Sequence, residues 1–231
     1  MSWSRPCRIA AALVAALAAA ACGRTSQETL GTSPRPAPRS DGLLSAVDQA
    51  RADSARYPYT TADIRFMSGM IPHHAQAIIM AGWAPTHGAS PSVLTLCERI
   101  INAQRDEIAT MQAWLRDRGQ PVPEPDTTTM AMTMPMPGGH EMLMPGMLTD
   151  AQMRQLDQAR GPAFDRLFLR FMIQHHRGAV SMVRELFGSY GAAQDQMVFK
   201  VATDINVDQT TEIARMERML AALALGLGSP G

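Results

Sequence analysis

A nine-residue pattern is written twice in this chain. Phe66-Met67-Ser68-Gly69-Met70-Ile71-Pro72-His73-His74 returns as Phe168-Leu169-Arg170-Phe171-Met172-Ile173-Gln174-His175-His176, at a constant offset of 102 residues. The likeness runs on to Met80 and Met182, with seven of fifteen aligned positions identical. A second echo follows each copy: Gln104-x-x-Glu107-Ile108-x-x-Met111 recurs as Gln209-x-x-Glu212-Ile213-x-x-Met216. An internal duplication narrows the choice of fold, because whatever unit the first copy builds the second builds again.

The unit is a helix hairpin. Thr60 or Thr61, with Asp63 behind it, supplies the cap and first-turn acid of a helix running to about Trp83. Ser90-Pro91 opens a second helix that stops at Gly119. Thr149-Asp150 starts a short helix interrupted at Gly161-Pro162, followed by a helix to about Phe187 and a last one from about Ala193 to Leu225. The stretch from Gln120 to Gly146 carries repeated Pro and Gly and reads as loop, and no segment reads better as strand.

Helical phase shows which faces turn inward. At about 100° per residue, Phe66, Met67, Met70, Ile71, Ala77, Ile78 and Ala81 form one apolar stripe with His74 near its centre and His73 on its flank. Phe168, Leu169, Met172, Ile173, Ala179, Val180 and Val183 repeat it around His176, with His175 to the side. The partner helices carry bundle seams, Cys97, Ile101, Gln104, Ile108, Met111 and Leu115 in one, Ala202, Asn206, Gln209, Ile213, Met216 and Leu220 in the other. Neither hairpin covers both faces alone. Two packed together give an all-α four-helix bundle with an approximate two-fold axis and a Met-rich connecting loop.

Four of the six histidines lie in the two pairs. A buried neutral imidazole must satisfy a donor and an acceptor. The nearest candidates in phase are Gln104, Glu107, Gln209 and Glu212, with Met111 and Met216 beside them. Two readings remain open: core histidines hydrogen-bonded to Gln, or ligands of a metal. Thioether with imidazole is a set suited to copper, and Met at −3 from the first His and +6 from the second occurs in both copies. If the imidazoles are ligands, protons should displace copper from them at about pH 5. The linker adds Met130, Met132, Met134, Met136, His140, Met142, Met144 and Met147, a second candidate copper-binding stretch of thioethers that do not titrate. The bland alternative is a strap covering an apolar bundle face.

The N-terminal residues read as an address rather than as fold. Arg5 and Arg8 precede an apolar, Ala-rich run from Ile9 to Ala21, which fits a secretory signal peptide over 1–21. Ala19-Ala20-Ala21-Cys22 resembles a lipobox, so Cys22 is the expected lipidation site and the membrane is expected to be met only through that anchor. Residues 22–58 form a tether with a short helix over 42–56, and 59–225 form the bundle: repeat 1 over 60–119, linker 120–148, repeat 2 over 149–225. Loss of the first 21 residues takes two Arg from a chain with 21 basic and 21 acidic residues, leaving a slightly acidic protein with no basic stripe and no case for nucleic acid. Cys97 has no partner once Cys7 and Cys22 are set aside, so no disulfide framework is expected.

The paired Met-Ile-Pro-His-His and Met-Ile-Gln-His-His motifs, the Gln-x-x-Glu-Ile-x-x-Met that follows each, and Met144-Pro145-Gly146-Met147-Leu148 resemble the bacterial family called Domain of Unknown Function 305. The resemblance implies a ferritin-like bundle, exported or lipid-anchored, that binds copper, expected as Cu(I), for sequestration, trafficking or tolerance in the cell envelope. It implicates His73, His74, Met70, Met80, His175, His176, Met172 and Met182. Gln174 in place of the usual Pro, and Leu169 opposite Met67, are the departures. The partners implied are copper ions and an envelope copper exporter or chaperone. Two other classes stay open: a metal-free interaction or envelope-stress module, and a ferritin-like di-metal oxidase. The last is poorly served, since the only acids on the His-His helices that could face inward are Asp63 and Asp165 at their starts. No enzymatic activity is expected.

Overall fold

A computed structural model describes residues 58–125, 133–135 and 141–226. The expected signal peptide, Cys22, the tether with its short helix, and Met130, Met132, Met136 and His140 lie outside these residues. Helix α1 (Thr61–Gly82) opens on a capping box in which the Thr60 hydroxyl accepts from Asp63 N at 3.3 Å and Asp63 Oδ2 accepts from Thr60 N at 2.6 Å. Helix α2 (Pro91–Asp117) starts with Pro in its first turn, where a missing N–H costs nothing. Two short strands, β1 (Thr133–Pro135) and β2 (Glu141–Leu143), pair antiparallel with Met134 opposite Met142. The linker is thus not wholly loop as its Pro and Gly content suggested; three residues on each side suffice for a ribbon that the alternating Met-x-Met pattern tolerates. Helix α3 (Asp150–Gln158) has its own capping box, Thr149 with Gln152. Helix α4 (Pro162–Gly188) follows Gly161 at φ 55°, and α5 (Gln196–Ala224) is capped by Asp195, which accepts from Met197 N and Val198 N. Among the described residues no helix is long and apolar enough to cross a membrane.

The duplication is realised as expected. Helices α1 and α2 form one hairpin, α4 and α5 the other, and the halves meet chiefly where α1 packs on α4. Asp63, buried in the first turn of α1, accepts from Ala193 N at 2.7 Å, in the loop ahead of α5. Asp165, its counterpart in α4, accepts from Ser90 N at 3.2 Å, at the start of α2. Each half therefore pins the turn of the other with a buried carboxylate.

The apolar interior is split in two. Met80, Leu96, Ile100, Phe164, Phe168, Leu169, Met172 and Met216 belong to one cluster; Phe66, Met67, Met70, Ile71, Met111 and Val183 belong to the other. The histidine pairs occupy the middle of α1 and α4, where the chain changes from one cluster to the other. The expected seam holds in α2 except at Ile101, which is partly buried while Ile100 goes inside. In α5, Asn206, Ile213 and Leu220 are only partly buried, while Val198, Val201 and Ile205 go inside near its start.

Leu143 to Leu148 crosses the seam between α1 and α4 as a strap. It is held by a reciprocal amide clamp: Gln76 Nε2 donates to Leu148 O at 3.0 Å, and Leu148 N donates to Gln76 Oε1 at 2.8 Å. Gln174 Nε2 donates to Gly146 O at 3.3 Å. Gly146, at φ 78°, lies so close to α4 that a Cβ there would meet Gln174 O and Gly178 Cα at 2.6 Å. A Cβ on Gly178 would stand 1.9 Å from Pro145 O. Gln76 and Gly178 occupy the same place in the two copies, one grasping the strap and the other making room for it.

Candidate metal centre

All four paired histidines are fully buried. His73 and His175 meet across the interface of the halves, ring centroids 3.9 Å apart and planes at 43°. His74 and His176 turn instead toward their own hairpin partners. His176 Nε2 is hydrogen-bonded to Glu212 Oε2 at 2.6 Å, and His74 Nε2 lies 2.8 Å from Glu107 Oε2, close but without hydrogen-bond alignment. This reverses the expected arrangement, in which His74 and His176 were central and His73 and His175 lateral. Helix α1 is covered by α2, α4 and the strap together, so it has no polar flank to which His73 could be consigned.

The protons can be placed from the partners. His73 Nε2 is 3.0 Å from Pro145 O, and His175 Nε2 is 2.9 Å from His73 O; a carbonyl only accepts, so both nitrogens donate. Glu107 and Glu212 likewise only accept when ionised, and a bare nitrogen lone pair at those distances would repel them. Each ring thus carries a proton on Nε2. On His73 and His175, which burial keeps neutral, Nδ1 is left as a lone pair, and none of the four Nδ1 atoms has a protein partner. Gln104, unpartnered at both amide atoms, and Gln209, unpartnered at Oε1, are buried as well.

Unsatisfied buried polar atoms are costly and uncommon. Four buried Nδ1 atoms without protein partners, with the opposite nitrogen donating to a carbonyl on His73 and His175 and to a carboxylate on His176, match the way metal-ligating histidines are oriented. A metal therefore fits these residues. The ligand set is limited, since among the described residues no three or more His, Cys, Asp or Glu side chains are arranged to hold one ion. An ion here would use one or two imidazoles with softer donors. Met70 and Met172, three residues before His73 and His175, are fully buried on opposite sides of the layer; Met80 is fully buried in the cluster that holds Met172. Met111 and Met216 are buried too, one in each cluster. Met182 is partly buried and packs both on the cluster that holds Met70 and Met111 and on Met144 and Met147 beneath the strap.

Burial, then the neighbouring His74, push the His73 pKa down to about 3, and burial with His73 beside it holds His175 well below the ordinary imidazole range. In the metal-free protein these two rings therefore stay neutral to lower pH than a free imidazole does. The acidic flank behaves oppositely. Asp208 is raised by partial burial and by Glu107, Glu212 and Asp204. Asp208 lines a cleft of about 530 Å³ with Asp106, Glu107, Asp204 and Lys200, between α2 and α5. A larger cleft of about 730 Å³ lies beside the strap, where Arg170 and Arg177 make it unsuited to cations. The histidines line neither of these clefts, and the chemistry favours the layer over both. The sequence reading missed Gln76 and the Pro145 carbonyl. Their signal was the mismatch of Gln76 with Gly178 in otherwise similar repeats.

Comparison with known proteins agrees with this architecture. Residues 63–220 match the family model described as Domain of unknown function (DUF305). A crystal structure of a DUF305 fragment from Deinococcus radiodurans is 31% identical, with a TM-score of 0.58 over 71% of this chain and 98% of that one. A DUF305 protein of Streptomyces coelicolor, assigned as secreted, is 28% identical, with a TM-score of 0.59 over 74% and 97% of the two chains. CopM in its Cu(II)-bound form is 31% identical, with a TM-score of 0.53 over 69% and 95%. A shorter match, 38% identical over 56 residues, is to an uncharacterised protein of Acanthamoeba polyphaga mimivirus, of whose length it spans 37%. With the family model matching well over half of its length, the chain belongs to the DUF305 family.

Proposed function

We propose that this protein binds copper, as Cu(I), in the layer formed by His73, His74, His175 and His176, and serves its sequestration or trafficking outside the cytoplasm rather than catalysis. The observation that carries the reading is the set of four buried Nδ1 atoms without protein partners, three of them on rings held by an Nε2 hydrogen bond. Imidazole suits several metals, but thioether beside it and carboxylate only as an Nε2 partner favour the softer ion. CopM, solved with Cu(I) and with Cu(II), supports the same metal. The lipobox-like Cys22 and the relation to a protein assigned as secreted support an anchored, extracytoplasmic location. Delivery then falls to an envelope exporter or chaperone.

Competition titrations of the mature chain against a Cu(I) chelator under reducing conditions test this. Tighter binding of Cu(I) than of Zn(II) or Fe(II) is expected. A chain that binds no Cu(I), or that prefers Fe(II), contradicts it, the first outcome favouring a metal-free bundle and the second a di-metal enzyme.

A further inference from the structure

Among the described residues three aromatic side chains are left in solvent, and all three lie at one end of the bundle. Phe187 is in the last turn of α4, Tyr190 stands in the turn that follows, and Phe199 is in the first turn of α5. Phe187 and Phe199 are 45% and 53% exposed although their rings meet edge to face, centroids 5.8 Å apart, and Tyr190 is wholly exposed. Large apolar groups gathered in one place on a surface mark a contact. The turn that presents Tyr190 is stiff. Ala193 takes a left-handed φ of 56°, and Asp63 Oδ1 holds its N–H at 2.7 Å. A non-glycine residue keeps such a φ only where its surroundings over-determine it. Asp195 fixes the far side of the turn, capping α5 while it accepts from Trp114 Nε1 at 3.1 Å. The chain also enters the fold here. Tyr59 packs edge-on against Trp114, centroids 5.3 Å apart, and Thr60 Cγ2 lies 3.8 Å from where a Cβ on Gly191 would stand. Cys22, the expected lipidation site, is therefore joined to the bundle at the end that carries the exposed aromatics.

We propose that this end of the bundle seats itself in the interfacial layer of a lipid bilayer, with Phe187, Tyr190 and Phe199 entering among the headgroups. Aromatic rings on a stiff support suit that layer: their apolar bodies reach the acyl boundary, and the Tyr hydroxyl stays hydrated. Arg184, one turn before Phe187, and Lys200, next to Phe199, are exposed as well. Their aliphatic stems lie alongside the rings' lipid contact while the charged ends meet lipid phosphates. Phe187 is eleven residues beyond His176 on α4, roughly 16 Å at 1.5 Å per residue, so the histidine layer is not drawn into the interface. The inference is independent of the metal reading, since a bundle that binds no copper carries the same end. It adds a contact through the folded chain to the lipid expected at Cys22.

The test uses the mature chain with Cys22→Ser, so that no acyl group can hold it, and vesicles of phosphatidylethanolamine with phosphatidylglycerol. The chain should co-sediment with the vesicles in proportion to lipid, and the Tyr190 ring signals should broaden when the headgroups carry a spin label. Replacing Phe187, Tyr190 and Phe199 by Ser should lower the partition constant about tenfold or more with helicity unchanged, because interfacial binding scales with the apolar area buried. Should that variant misfold, Tyr190→Ser alone, at a wholly exposed position, should lower it about threefold. A chain that stays in the supernatant at every lipid concentration overturns the proposal, as does a Ser variant that partitions like the wild type. Binding that vanishes on uncharged phosphatidylcholine overturns it too, assigning the contact to charge. Dimers that bury Tyr190 without lipid and stay off the vesicles overturn it in favour of a second copy of the chain. Each of these outcomes leaves copper binding in the histidine layer to its own titration.

Discussion

Three of the four rings are hydrogen-bonded at Nε2, to Pro145 O, His73 O and Glu212 Oε2, while His74 Nε2 lies beside Glu107 without hydrogen-bond alignment. Nδ1 has no protein partner on any of the four. The same burial has a consequence for stability. Free histidine in the unfolded chain titrates near 6.5, whereas folded His73 is held to about 3 and His175 also well down. Between those values the unfolded chain binds more protons than the folded one. Stability of the metal-free protein should then fall as pH drops below roughly 6.5 and go on falling toward the folded value of His73. Thermal melts from pH 7 to pH 4 should show a steadily lower Tm, and a flat profile over that range would contradict the neutral, buried assignment. The identity of the four histidines was legible from the repeat. Which of them faced across the interface was not, because phase alone does not show that α1 is covered by α2, α4 and the strap at once.

Among the elements, the strap is where two similar halves are made different. Gln76 and Gly178 share a repeat position, yet one supplies two hydrogen bonds and the other an absence of side chain. Gly178→Ala places a methyl 1.9 Å from Pro145 O, and backbone cannot yield as a flexible side chain would. It should cost about 3 kcal/mol, in the range of severe overpacking, and release the His73–Pro145 contact; chemical denaturation measures the first and the His73 ring resonances the second. An unchanged midpoint would show that the strap does not lie on α4. The Asp63 and Asp165 clamps are a different kind of device. Asp63→Ala removes the acceptor of Ala193 N and of Thr60 N together, and should destabilise by roughly 1–3 kcal/mol without altering metal binding. Capping signals at Thr60, Ser90 and Thr149 were legible in the sequence because they are local. These clamps were not, since they join residues 130 and 75 positions apart.

At the scale of the whole molecule, two hairpins share one interior and one polar layer. Residues 58–119 alone would expose the α1 face that meets α4, so a fragment of that span should be unstable or dimerise. A cooperatively folded monomer by sedimentation and thermal melting would contradict the single shared bundle. That architecture was largely legible, because duplicated motifs and a 3.6-residue stripe specify hairpins that need each other. The regrouping of Met182 with Met144 and Met147 was not, because no periodicity relates a loop to the helix it crosses. The metal reading turns on which ring nitrogen binds. Long-range ¹H–¹⁵N correlation spectra of the four imidazoles, recorded as Cu(I) or Ag(I) is added, report Nδ1 and Nε2 separately. Nδ1 signals of the layer should move to metal-bound positions while Nε2 stays protonated. Nδ1 signals that stay unchanged in a metal-loaded protein, or an Nε2 that loses its proton to the ion, would contradict it.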